Sequence, residues 1–208
     1  MPELNFTELS LNEFTQRLSS RDSVPGGGGA AAMVGALAAS LGAMVGNLTT
    51  GKKTYADVEE DITALIARAD ALRNRFLQLI NEDAAAFEPL SRAYSLPKEA
   101  PGRDDYMEAC LRKAADCPME ILKTCCDTVP VLEELAQKGS KMVASDAAVG
   151  AVLCQSAIYS AAINVKVNTK LMQRRDYADS VNTRTDELIR EFCPRAEAVY
   201  TLIYRRYS

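Results

Sequence analysis

Histidine is absent from the 208-residue chain, and so is tryptophan. Without histidine, the commonest general base and the commonest metal ligand are both missing. Acid–base chemistry then falls to Asp, Glu, Lys, Tyr or Cys, and no metal site is expected. Basic runs are missing too, and the formal net charge is -4. That speaks against nucleic acid as a partner, because phosphate binding needs clustered Lys and Arg. No segment alternates apolar and polar residues with the period of a strand. None of the cysteines (Cys110, Cys117, Cys125, Cys126, Cys154 and Cys193) forms a C-x-x-C pair. The opening "MPELNFTELS" lacks the basic stretch and apolar run of a secretion signal. The cysteines therefore read as small core residues of a cytoplasmic protein.

What is present points to helices. Hydrophobic residues make up 48% of the chain but aromatics only 6%, and alanine supplies much of the difference, which favours close-packed helices over a sheet. Ser10 and Glu13 have capping-box spacing ahead of a short amphipathic helix ending near Ser19. From about Asp57, the residues Val58, Ile62, Leu65, Ala69, Leu72, Phe76 and Leu79 step by threes and fours, and the register continues through position 83 to Phe87, Leu90 and Tyr94. Pro89 is expected to kink or end this helix, Pro118 to interrupt the next, Pro130 to start another and Pro194 to interrupt the last. Ser145 reads as the N-cap of a long helix, with Asp146 in its first turn. The expectation is an all-α bundle of six to eight helices, forming one domain over residues 1–208 with two long Ala/Gly-rich helices at its centre.

The first of those central helices opens with a run of glycines, "SVPGGGGAAAMVGALAASLGAMVGNLTTGKK" from Ser23. Met33, Val34, Leu37, Leu41, Met44, Val45 and Leu48 form one stripe, and small residues fill nearly all other positions. Such a helix wants a partner on every side. It carries no charge up to Gly51, yet Gly, Ala and Ser barely favour membrane insertion, so a central packing helix fits better than a membrane span. Gly26, Gly28 and Ala31 match G-x-G-x-x-A formally, but no strand precedes them, and the Gly-Lys-Ser/Thr end of a P-loop is absent. Two readings of the glycines stay open: close approach of a ligand to backbone N–H groups at a helix start, or tight packing alone.

Several fragments together resemble a known family. "PGGGGAAAMVGALAASLGAMVGNLTTGKKTY" (Pro25 to Tyr55) resembles the glycine-rich motif of the formiminotransferase-cyclodeaminase family, in its cyclodeaminase domain. "LINEDAAAF", "SDAAVGAVL" and "INVKVNTKL" resemble its second, third and fourth motifs, in order, so the likeness covers essentially the whole chain. The resemblance implies a cytoplasmic, all-helical homodimer that acts on a tetrahydrofolate derivative. Two activities occur among similar proteins. One closes the 5,10-methenyl bridge of formiminotetrahydrofolate and releases ammonia; the other opens that bridge with water to give 10-formyltetrahydrofolate. The second is favoured slightly, because no transferase domain is fused here to supply a formimino substrate. A reading of another class is a helical scaffold or a folate binder without catalysis.

Both reactions need a proton moved to or from an amine. Asp83 falls on the buried stripe of its helix, where a lone carboxylate is costly unless it is paired or functional. The resemblance implies that it is catalytic. Lys52 and Lys53, at the end of the glycine-led helix, either complement its dipole or capture a folate carboxylate. Asn164 and Asn168 share a helix face and either read a pterin edge or join helices. With Gly26, Gly27, Gly28, Tyr55 and Asp146 they make up the expected substrate-binding set. One departure stands out: the family more often has Ser where this chain has Gly29.

Overall fold

The computed structural model describes residues 4–207. Six α-helices run in chain order: α1 (Leu11–Leu18), α2 (Gly27–Asn47), α3 (Glu59–Tyr94), α4 (Arg103–Lys138), α5 (Ala144–Leu171) and α6 (Arg175–Tyr204). Short 3-10 turns occupy Phe6–Glu8, Lys53–Val58 and Lys141–Val143, and no strand occurs among the described residues. The capping box of α1 is formed: the Glu13 N–H donates to Ser10 Oγ (3.2 Å), and the Ser10 N–H donates to Glu13 Oε2 (2.9 Å).

Helices α2, α3, α4 and α5 close a ring in which each packs on the next, with α6 laid against α4 and α5. Helix α2 runs antiparallel to α3, with Gly28 against Asp83, Gly35 against Phe76 and Gly46 against Ile66. It is antiparallel to α5 as well, with Gly27 against Asn164 and Gly150 against the Ala38 carbonyl. A Cβ on Gly35 would overlap the fully buried Phe76 ring, so these approaches depend on the missing side chains. All six cysteines are free and buried.

The buried positions of α2 are Gly and Ala with the single exception of Val45. Its larger residues face outward instead, with Leu37 49% exposed and Met44 and Leu48 also on the surface. Small residues turn inward because only they let three neighbouring helices come this close. Of the large-residue stripe, Leu37, Met44 and Leu48 are uncovered, while Val45 is buried and Met33 and Val34 pack against the core, so the expected partner on every side is missing only along that exposed part. Both α2 and the span Lys141–Leu171 are long and apolar enough to cross a membrane, with 61% and 50% of their apolar windows buried inside the chain's own fold.

The prolines depart from expectation. Helix α3 passes through Pro89, α4 through Pro118 and Pro130, and α6 through Pro194 without a break. Each proline removes one helical N–H, yet each lies within a continuous helix, and at Pro118 the freed carbonyl finds a substitute donor. Ser145 is also not the N-cap: α5 starts one residue earlier, at Ala144, after the turn Lys141–Val143, so Ser145 is already helical. Asp146 does lie in the first turn.

Candidate active site

The start of α2 is built around Asp83. The N-cap of α2 is Gly26, which has no side chain to offer the free N–H groups of the first turn. Asp83 supplies the missing acceptor from α3 by taking a hydrogen bond from the Gly29 N–H. A Cβ on Gly28 would collide with the Asp83 carboxylate, so that position must be glycine for the acid to sit there. Gly29 is under no such constraint: a Cβ there would lie 3.5 Å from Pro25 Cβ and 3.9 Å from Ile80 Cγ2, ordinary contacts.

Asp83 forms part of the wall of a cavity of about 250 Å³. Gly26, Gly27 and Gly28 line it from α2, Phe87 from α3, Ala114 and Pro118 from α4, and Asn164 and Asn168 from α5. No basic side chain is among the lining residues. Burial pushes the Asp83 carboxyl up from 3.8 to about 6, against the opposing pull of the Gly29 N–H. Cys117 packs close by, where burial first and the Asp83 charge second raise its thiol, keeping it a neutral core group.

The two asparagines are oriented by backbone carbonyls. Asn164 Nδ2 donates to the Ser160 carbonyl (2.7 Å). Asn168 Nδ2 donates to the carbonyls of Ala114 (2.9 Å) and Asn164 (3.0 Å). Pro118 has no N–H to give the Ala114 carbonyl four residues back, and Asn168 supplies that donor from α5. With both Nδ2 hydrogens committed, Asn168 keeps Oδ1 as its acceptor toward the cavity. The sequence pattern marked Pro118 only as a break, so this pairing, and the cavity positions Phe87 and Ala114, went unseen. Only the three-dimensional meeting of α4 and α5 reveals them.

Lys52, Lys53, Tyr55 and Asp146 lie at the opposite end of the bundle, beyond the far end of α2 and at the start of α5. There Lys52 Nζ donates to Ser140 Oγ (3.3 Å), and the Lys141 N–H donates to the Tyr55 hydroxyl oxygen (3.0 Å). That hydrogen bond leads in holding the Tyr55 phenol below its usual value, helped by Ser140 and the charges of Lys141 and Lys52. Asp83, the glycines and the asparagines thus come together, while the lysines, Tyr55 and Asp146 form a separate group. No group of three or more His, Cys, Asp or Glu residues able to hold a metal occurs among the described residues.

The sequence profile of formiminotransferase-cyclodeaminase matches residues 10–187. The chain belongs to that family. It is 34% identical over 198 residues to a methenyltetrahydrofolate cyclohydrolase of Methylorubrum extorquens, covering 93% of this chain and 95% of that one. It is 31% identical over 202 residues to the formimidoyltransferase-cyclodeaminase of Rattus norvegicus, of which it spans 37%. Its fold matches the crystal structure of a formiminotetrahydrofolate cyclodeaminase from Thermotoga maritima with a TM-score of 0.82 at 30% identity, covering 95% and 98% of the two chains. In this family member the motif that opens with glycines and closes with lysines is divided between the two ends of α2. Gly29, the position where the sequence reading expected a serine, has room for a side chain.

Proposed function

We propose that this chain is a methenyltetrahydrofolate cyclohydrolase with Asp83 as its general acid–base group. The observation that carries the reading is a carboxyl raised to about 6 in the wall of a small cavity, in a chain that aligns almost end to end with a named cyclohydrolase. The methenyl carbon bridges N5 and N10 and carries amidinium charge. Ionised Asp83 takes a proton from water as its oxygen bonds to that carbon. The carboxylic acid so formed returns the proton to N5 as the carbon–N5 bond breaks, leaving the formyl group on N10. The second hydroxyl proton goes to solvent. A carboxyl near 6 suits both halves, because it is ionised at neutral pH yet acidic enough to protonate an amine in transit.

Asn164 and Asn168 then orient the pterin, with Asn168 Oδ1 accepting from a ring N–H. Gly26 and Gly27 let the ligand approach the backbone. The working form in this reading is a cytoplasmic homodimer, independent of metal, membrane and nucleic acid. A second reading is cyclodeaminase chemistry at the same carbon, favoured by the fold neighbour; there N10 attacks a formimino carbon and Asp83 protonates the departing ammonia.

Loss of 5,10-methenyltetrahydrofolate absorbance tests the first reading. The wild type should accelerate it over buffer, and Asp83→Asn should lower kcat by about 10²- to 10⁴-fold. No acceleration, together with ammonia release from formiminotetrahydrofolate, would establish the second reading instead.

A further inference from the structure

Asp83 is the only charged side chain among the residues that line its cavity. Nothing around it supplies a balancing cation. On α3, Glu82 is exposed and held by Arg75 at 2.6 and 3.1 Å. On α4 the near group is Cys117, a neutral thiol. From α2 comes the Gly29 N–H alone, and α5 brings the uncharged amides of Asn164 and Asn168. A neighbouring groove of about 770 Å³ shares Ser23 and Val24 with the cavity, but Arg17 there lies 3.7 Å from Asp22. An ionised carboxylate in such a place is short of a counter-ion.

The rest of the wall suits one kind of ion. Phe87 lines the cavity one helical turn along α3 from Asp83, and an aromatic wall favours a cation near its face. Asn168 keeps Oδ1 as an acceptor, which an N–H or a positive charge can use and an anion cannot. Val24, Phe87, Pro118 and Val167 make much of the remaining wall apolar. A compact, strongly hydrated ion would lose more water there than the site replaces. A planar ion with its charge spread over several atoms loses less.

We infer that the Asp83 cavity is a receptor for planar amidinium cations, that Asp83 selects them by charge as their counter-ion, and that it binds them with no pterin or glutamate attached. This rests on the folate reading above, in which the one-carbon bridge is such a cation. The reaction then removes the charge that holds the substrate, because amidinium and water give a neutral formyl amide and a proton. One carboxylate thus holds the bridge before ring opening and lets it go afterwards. Binding and protonation are linked at this site. A cation favours ionised Asp83, so its binding lowers the carboxyl from about 6, and at pH 5 it expels up to about one proton per site.

Calorimetry with three ligands of one shape and different charge tests it: benzamidinium, benzamide and benzoate. At pH 7.5 benzamidinium should bind the wild type with a Kd on the order of 1 mM, the scale for so small a ligand. Benzamide should bind about tenfold more weakly or worse, the loss of a charge-assisted contact, and benzoate should not bind measurably. At pH 5 benzamidinium should bind about tenfold more weakly, because most Asp83 is then protonated, and its binding should release a proton, read from the heats in buffers of different ionisation enthalpy. Asp83→Asn keeps the shape and should abolish the preference for benzamidinium over benzamide. With the wild type, benzamidinium should inhibit loss of methenyltetrahydrofolate competitively, with Ki equal to Kd. Equal binding of benzamidinium and benzamide, an unchanged preference in Asp83→Asn, non-competitive inhibition, or no binding of benzamidinium at about 50 mM overturns the proposal. The two readings fail separately. A wild type that opens the methenyl bridge but shows no charge preference loses this inference alone. One that acts on no folate but binds benzamidinium through Asp83 loses the folate reading and upholds the cation site.

Discussion

Asp83 carries two loads. It caps α2 through the Gly29 N–H and it holds a carboxyl raised to about 6 by burial. The second load has a stability cost with a definite sign. Below 3.8 the acid is protonated whether the chain is folded or not. Between 3.8 and about 6 the unfolded chain ionises first, so stability falls as pH rises, and above 6 the full cost of up to about 3 kcal/mol applies. Asp83→Asn removes that charge and keeps an acceptor for Gly29. The variant should therefore unfold at higher urea than wild type at pH 7, with the gap closing as pH falls toward 4. A wild-type midpoint at pH 7 would show that Asp83 is not buried as described. The adjacent glycines differ in the same way. Gly28→Ala should displace the acid and lower kcat about 100-fold, the cost of a misplacement of around 1 Å. Gly29→Ala meets only ordinary contacts and should stabilise by about 0.4–1 kcal/mol, visible as a small rise in Tm.

The helices themselves were legible from their period: α1 with its capping box, α2 opening at the glycines, and α3 with Asp83 on the inward side between Leu79 and Phe87. The prolines were not legible in the same way. A proline in sequence announces a missing donor, but whether the helix survives depends on what packs around it. At Pro118 the answer lies on another helix, in the Asn168 amide bound to the Ala114 carbonyl. Of the two readings left open for Asn168, a pterin edge or a join between helices, this pair supplies the second, because its Nδ2 ties α5 to α4. Asn168→Ala should cost about 1–3 kcal/mol by stranding a buried carbonyl. Pro118→Ala restores a main-chain N–H four residues along, so the double variant should recover most of that loss in a denaturant cycle. Strict additivity of the two changes would sever the link. The outward turn of α2's large residues was hidden for a related reason: periodicity identifies a stripe, but not which of two faces, small or large, the fold will bury.

At the scale of the molecule, a ring of four helices with α6 outside buries its smallest residues and displays some of its larger ones. A charge placed on the displayed face should leave the protomer folded. Leu37→Asp should keep helical circular dichroism and unfold close to the wild-type midpoint, as expected of a half-exposed position. Loss of helicity instead would mean that this face supports the protomer itself. The cap supplied by Asp83 has a consequence at this scale too. The chain has no histidine, so few other groups change charge near neutrality, and the one at the cavity is wired to the first turn of the central helix. The amide of Gly29 is thus an indicator dye written into the backbone: its proton resonance should move with a midpoint near pH 6, shift again when ligand fills the cavity, and stand still in Asp83→Asn.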